Sequence, residues 1–247
     1  MRLSKSWIIA SKDFKVFLKK KNIIYSIVVV PISVSILFPV VVSSLLHKGG
    51  SGVSASELTV LLPSFTFFYL NLAGLIPTTI ASYSIVGEKV EKSLEPLLAT
   101  PTTDGEILLG KGMSAILPPM AAILGGGALF MALIDFVTYN TLGYAFFPNL
   151  NAAIVLFLLV PLAAVMSVEW NVIVSSRVSD VRVAQQIGIL LILPFGGIYV
   201  AGELNIIQLG VTSNLLIIAG ILSAVDLLLL YVAKATFSRD EILTKWK

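Results

Sequence analysis

Six long apolar runs dominate the sequence, and they constrain its fold more than any other feature. They lie at 23–46, 58–86, 113–134, 150–174, 184–201 and 206–233. A helix needs about 20 mainly apolar residues to cross a bilayer, and the runs are close to that length or longer. Hydrophobic residues make up 57% of the chain and charged residues 13%, which leaves little for a soluble domain. The sequence therefore predicts an all-α integral membrane protein whose 247 residues form a single domain with six transmembrane helices, residues 1–247.

Lysine and arginine fall on one side of the predicted spans. All of the 17 basic residues except Lys48 lie before the first span, between spans two and three, between spans four and five, or after the last span. Loops rich in these residues stay in the cytoplasm, so we expect an even number of spans and both termini in the cytoplasm. The net charge of +3 then reflects membrane orientation and gives no argument for nucleic acid as a partner.

The leader, residues 1–21, shows a helical period of its own. Apolar side chains recur on one face and lysines on another, a pattern typical of an amphipathic helix that lies in the membrane interface. The alternative is an orientation signal that is merely helical. The apolar positions are Leu3, Trp7, Ala10, Phe14 and Phe17, and the lysines are Lys5, Lys12 and Lys19.

The chain offers no residues for several kinds of chemistry. It has no cysteine and one histidine, which excludes thiolate catalysis and cysteine-based metal sites. Residues 105–111 fit the G-x-x-x-x-G-K spacing of a phosphate-binding loop, but Gly112 follows where serine or threonine is needed. A membrane span also follows, and an amphipathic segment precedes instead of a strand. We predict no catalytic, cofactor or metal site in this chain.

The interval between spans two and three, residues 87–111, is polar with an apolar stripe. Val90, Leu94 and Leu97 or Leu98 have helical spacing, and Pro101 ends that helix. Thr-x-x-Glu at 103–106 is a capping box, which predicts that a new helix into the third span begins there. The short amphipathic helix either rests on the lipid headgroups or docks a soluble protein.

This interval also carries a family resemblance. The runs EKVEKSLEPLLATP at 88–101 and EILLGK at 106–111 resemble the cytoplasmic loop of export-class (type-2) ABC transporter permeases. The run VSSRVSDVRVAQQ at 174–186, followed by Pro194, is similar to the loop between the fourth and fifth spans of that family. Span number and loop order agree with the family along nearly the whole chain.

The resemblance implies a function and partners. Two permease chains, a homodimer or a pair of different permeases, would form the translocation pathway in the plasma membrane of a prokaryote. Two copies of a separate ATPase subunit would bind ATP and Mg and dock on a coupling helix at 88–100. In the family the last extracellular connection forms a re-entrant pair of helices, and Pro194, Gly196 and Gly197 would break the fifth span at a suitable place for it. The implied ATPase-coupling residues are Glu88, Glu91, Leu94, Glu95, Leu97 and Leu98.

Two acidic residues lie inside apolar runs, where a charge costs about 3 kcal/mol or more unless it is paired or hydrated. Glu169 and Asp226 each precede a basic residue at the cytoplasmic end of the span by eight positions, about 12 Å along a helix. They are therefore at matching depth on spans four and six. One hypothesis is a cation or proton site. The other is a packing role, with hydrogen bonds to Asn171, Ser223 or the backbone.

Two alternative functions remain open from the residues. An ion-coupled secondary transporter could work through Glu169 and Asp226, although such proteins usually show repeated halves, and no convincing repeat is visible. A non-transporting membrane assembly factor could use the same six spans. A stably bound ATPase would distinguish the permease from both.

Overall fold

The computed structural model describes residues 3–17, 19–47, 54–90 and 102–236, and these form helices without a strand. Six stretches of this described part are long and apolar enough to cross a membrane, which confirms the predicted all-α membrane fold. The helices are α1 (Leu3–Phe17), α2 (Lys21–Leu46), α3 (Ala55–Ser82), α4 (Asp104–Leu142), α5 (Leu150–Arg177), α6 (Val181–Ile189), α7 (Ile192–Glu203) and α8 (Thr212–Thr236). The fifth span combines α6 and α7.

Local sequence signals fix several helix ends. Ser54 begins α3 and Thr103 begins α4, each in a reciprocal capping box with the glutamate three residues later. The predicted start of the helix into the third span is thus confirmed. Gly143 ends α4 with a φ of 77°, a left-handed conformation that glycine adopts without a steric penalty. The helix therefore runs eight residues beyond the apolar run that ends at 134, because its backbone hydrogen bonds continue until that glycine.

Helices α3 and α5 form the centre of the bundle. Their apolar windows are 72% and 56% buried, compared with 28% or less in the other spans. A polar seam joins them. The Thr78 and Ser167 hydroxyls are 2.7 Å apart, and Asn171 Oδ1 accepts from Ser82 Oγ at 3.1 Å. These fully satisfied groups fix the two helices against each other where no water is present to replace the bonds.

Helix α1 packs along α4. Its buried face includes Ile9, Ala10 and Phe17, while Leu3 and Trp7 are 74% and 52% exposed. The exposed apolar side chains suit the predicted position in the membrane interface, which stays a prediction.

The fifth and sixth spans differ in detail from the sequence prediction. The fifth is interrupted at Leu190–Leu191 and not at Pro194, which lies in the first turn of α7. Proline is tolerated there because the first N–H groups of a helix have no intrahelical partner. The predicted break at Pro194 was therefore misplaced by three residues. The sixth span begins at Thr212 and not at 206.

Candidate functional site

A buried ionic cluster lies where α1, the end of α3 and the start of α4 meet. Its centre is Lys111, whose side chain is 2% exposed. The ammonium donates to the Ser84 carbonyl oxygen at 2.5 Å and to Glu88 Oε2 at 2.6 Å. Asp13 Oδ2 lies 3.9 Å from the same nitrogen. One lysine of α4 is thus held by carboxylates from two other elements.

Asp13 brings α1 into this cluster. Its side chain is 5% exposed, and its Oδ2 accepts from Ser84 Oγ at 2.8 Å and Ser114 Oγ at 3.3 Å. A buried carboxylate is tolerated only when charges and hydrogen bonds compensate for its lost hydration. Lys111 and the two hydroxyls supply that compensation, so α1 is fixed to the bundle by a specific polar contact as well as by apolar packing.

The backbones of α1 and α4 approach each other closely at Gly110. A Cβ built on Gly110 would lie 2.7 Å from the Ser6 carbonyl oxygen and 2.8 Å from Ile9 Cβ. Any side chain there has to displace α1, because one of the two neighbours is backbone. Gly110 therefore sets the helix separation at which Asp13 can reach Lys111.

Glu88 links the ionic cluster to the polar interval between spans two and three. The chain leaves α3 through a π-helical turn, Tyr83–Gly87, and a short helix, Glu88–Val90. Burial raises the pKa of Glu88, but the charges and hydrogen bonds of Lys111 and Lys12 outweigh it, and the net pKa lies below the ordinary value. Lys12 Nζ contacts Glu88 Oε1 at 2.8 Å. Glu88 is therefore an ionised bridge between α1 and α4.

The cluster binds three parts of the bundle together. The 105–111 run with phosphate-loop spacing lies within the first turns of α4, and its lysine is occupied by Ser84 and Glu88. Within the described ranges, no three His, Cys, Asp or Glu side chains group closely enough to hold a metal ion.

The comparison with known families decides what kind of protein carries this bundle. The sequence profile of the ABC-2 family transporter proteins matches residues 7–247, nearly the whole chain. The chain belongs to the ABC-2 transporter family. A search of curated proteins finds no match.

Membership explains the architecture. An ABC-2 family permease is a multi-pass membrane component that has no ATPase site of its own and associates with an ABC ATPase.

The structure brings some of the predicted site residues of this ABC-2 protein together. Glu88 lies in the ionic cluster, and Glu169 and Asp226 lie on α5 and α8, which pack against each other. The remaining predicted coupling residues fall outside the described residues, namely Glu91, Leu94, Glu95, Leu97 and Leu98.

Sequence reasoning missed four members of the cluster, namely Asp13, Ser84, Lys111 and Ser114. Asp13 had a usable signal, because it is the single acidic residue of the leader and lies on one helical face with Ala10 and Phe17. An acid on an apolar face predicts a buried partner. Nothing local in the sequence identifies Lys111 as that partner.

Proposed function

We propose that this ABC-2 protein is the permease subunit of an ATP-driven exporter. Two copies form the translocation pathway, since symmetric pairs are the commonest assemblies. Each copy contacts a separate ATPase subunit, which binds ATP and Mg, through the 87–111 segment. The protein lies in the plasma membrane of a prokaryote with both termini in the cytoplasm.

The observation that carries the proposal is the attachment of this segment to the bundle. Glu88, near its start, bridges Lys12 of α1 and Lys111 of α4 at 2.8 and 2.6 Å. A displacement of the segment therefore acts on two helices through short ionic contacts, a buried one to Lys111 and a half-exposed one to Lys12. Contacts of this kind transmit force because their geometry has few low-energy alternatives.

The far end of the segment is fixed as well. Thr103 Oγ1 accepts from the Glu106 backbone N–H at 3.3 Å, and the Glu106 carboxylate accepts from the Thr103 backbone N–H at 3.1 Å. This capping box starts α4, the longest helix of the described part. The 87–111 segment is thus held at both of its described ends, which supports a role in passing motion from a docked ATPase to the spans.

Co-purification with an ATP-hydrolysing subunit tests the proposal. We would isolate the tagged protein from its native membranes in mild detergent and measure ATP hydrolysis. In the test variant, Leu94→Asp, Leu97→Asp and Leu98→Asp place charge on the predicted docking stripe. Charge in an apolar groove costs several kcal/mol, so we expect loss of the ATPase and its activity.

A matched control adds charge at polar positions of the same segment. Ser93→Asp with Thr100→Asp is expected to keep the ATPase bound, because these positions lie off the apolar stripe. An ATPase that binds the triple variant as well as the wild type contradicts the docking role. If well-folded wild-type protein carries no ATPase, the permease proposal fails, and an ion-coupled transporter or an assembly factor takes its place.

A further inference from the structure

Two buried acidic residues lie in the membrane-spanning part of the bundle, outside the ionic cluster and the 87–111 segment. Glu169 on α5 and Asp226 on α8 are 8% and 7% exposed. The two helices are spans four and six, so they cross the membrane in the same direction and pack side by side. Each acid is eight residues before a basic residue, Arg177 or Lys234, near the end of its helix. The two carboxylates therefore lie at equal depth on neighbouring helices.

Neither acid has the hydrogen bonds that a packing role requires. In the described part of the chain, Glu169 Oε2 and both carboxylate oxygens of Asp226 are buried without a hydrogen-bond partner. The predicted partners are engaged elsewhere. The Asn171 amide bonds within the seam between α3 and α5, and Ser223 Oγ donates to the Ala219 carbonyl oxygen at 2.8 Å. The hydrogen bonds that the packing hypothesis predicted for Glu169 and Asp226 are therefore not formed.

The charges around the pair do not neutralise it either. No described basic side chain lies within ion-pair distance of either acid. Two buried carboxylates on neighbouring helices, in a medium of low polarity, cannot both remain ionised without a counter-ion. A cation has to bind the pair, or at least one of the two acids has to hold a proton.

We propose that Glu169 and Asp226 together bind one monovalent cation, either a proton or an alkali metal ion. A divalent metal is disfavoured, because calcium takes six to eight oxygen ligands and the described residues hold no third Asp, Glu, His or Cys in this group. The site is independent of the ATPase, so it stands or falls separately from the permease proposal. Occupancy removes the repulsion between α5 and α8 and so stabilises the folded protein.

Purified protein in lipid nanodiscs tests both forms of the cation. Thermal unfolding would be followed in sodium, potassium and choline chloride at constant ionic strength. For an alkali metal site, the unfolding temperature rises with the logarithm of the sodium or potassium concentration and not with choline. For a proton site, infrared spectra at neutral pH show the carbonyl stretch of a protonated carboxyl group.

Amide variants test whether the cation-dependent unfolding temperature or the infrared carbonyl signal comes from Glu169 and Asp226. We expect Glu169→Gln and Asp226→Asn each to abolish it, while remaining folded because they remove a buried charge. The matched control is Glu57→Gln at the other end of the bundle, where glutamine preserves the capping box. If the wild type shows neither signal, or if the signal survives in either amide variant, the proposal is overturned.

Discussion

Replacing Lys111 by methionine tests how strongly the ionic cluster holds α1, α3 and α4 together. Methionine keeps most of the side-chain volume and removes the ammonium. The change leaves Asp13 and Glu88, with exposures of 5% and 12%, facing each other without their shared cation. The structure thus predicts a loss that comes from an uncompensated charge rather than from a cavity.

The magnitude follows from burial. Removing one partner of a buried ion pair costs about 3–5 kcal/mol. Lys12 still pairs with Glu88, and two hydroxyls still donate to Asp13, so we expect a value near the lower end, about 3 kcal/mol. Glu88→Gln removes the charge that pairs with Lys12 and Lys111 but keeps one acceptor oxygen, and it is expected to cost about 2 kcal/mol.

A double-mutant cycle in mixed micelles measures the coupling. The free energy of unfolding is obtained by titration with a denaturing detergent, followed by tryptophan fluorescence. We expect the double variant, Lys111→Met with Glu88→Gln, to lose at least about 1 kcal/mol less than the sum of the single losses. Lys15→Met, at an exposed position of α1, is the control and should stay within about 0.5 kcal/mol of the wild type. Additivity of the two changes within about 0.5 kcal/mol would refute the direct interaction.

Two further predictions concern the same region. Because the pKa of Glu88 is lowered from its ordinary 4.5, its stabilising contribution is complete above pH 4.5 and is lost as the pH falls through the folded-state value. Unfolding measured against pH should therefore show an acid-side loss in the wild type that Glu88→Gln lacks, and equal slopes would contradict the ion pair. Gly110→Ala should cost about 1–3 kcal/mol, since its Cβ would lie 2.7 Å from the Ser6 carbonyl oxygen. Gly112→Ala, whose Cβ would meet only Val168 Cγ1 at 4.0 Å, should be neutral or stabilising by up to about 1 kcal/mol. Equal effects of the two alanines would show that the contact between α1 and α4 is looser than described.

The start of the helix into the third span was predicted correctly, because its signal lies in neighbouring residues. The Thr103 capping box is a contact over three residues, and α4 begins there as expected. The expected break at Pro194 was misplaced, because a proline inside a helix and a proline in its first turn look alike in sequence. Helix ends are set by backbone hydrogen bonding, which an apolar run reveals only in part.

For the candidate sites, the sequence identified individual residues, and the structure identified their partners. Glu88 was predicted from a family resemblance, but its partners, Lys12 and Lys111, are 76 and 23 residues away in the chain. Glu169 and Asp226 were found from sequence because any charge in an apolar run is conspicuous. Their lack of hydrogen-bond partners depends on which side chains surround them, and only the packed helices show that.

The sequence by itself determined that this chain crosses a membrane six times, because the transfer of apolar helices into lipid depends on length and composition alone. It also determined the family, through motifs that are continuous in the chain. The tertiary structure decided which polar groups meet. Asp13 and Lys111 come from helices that pack closely because Gly110 has no side chain, and a contact of that kind depends on three-dimensional distance rather than on spacing along the chain.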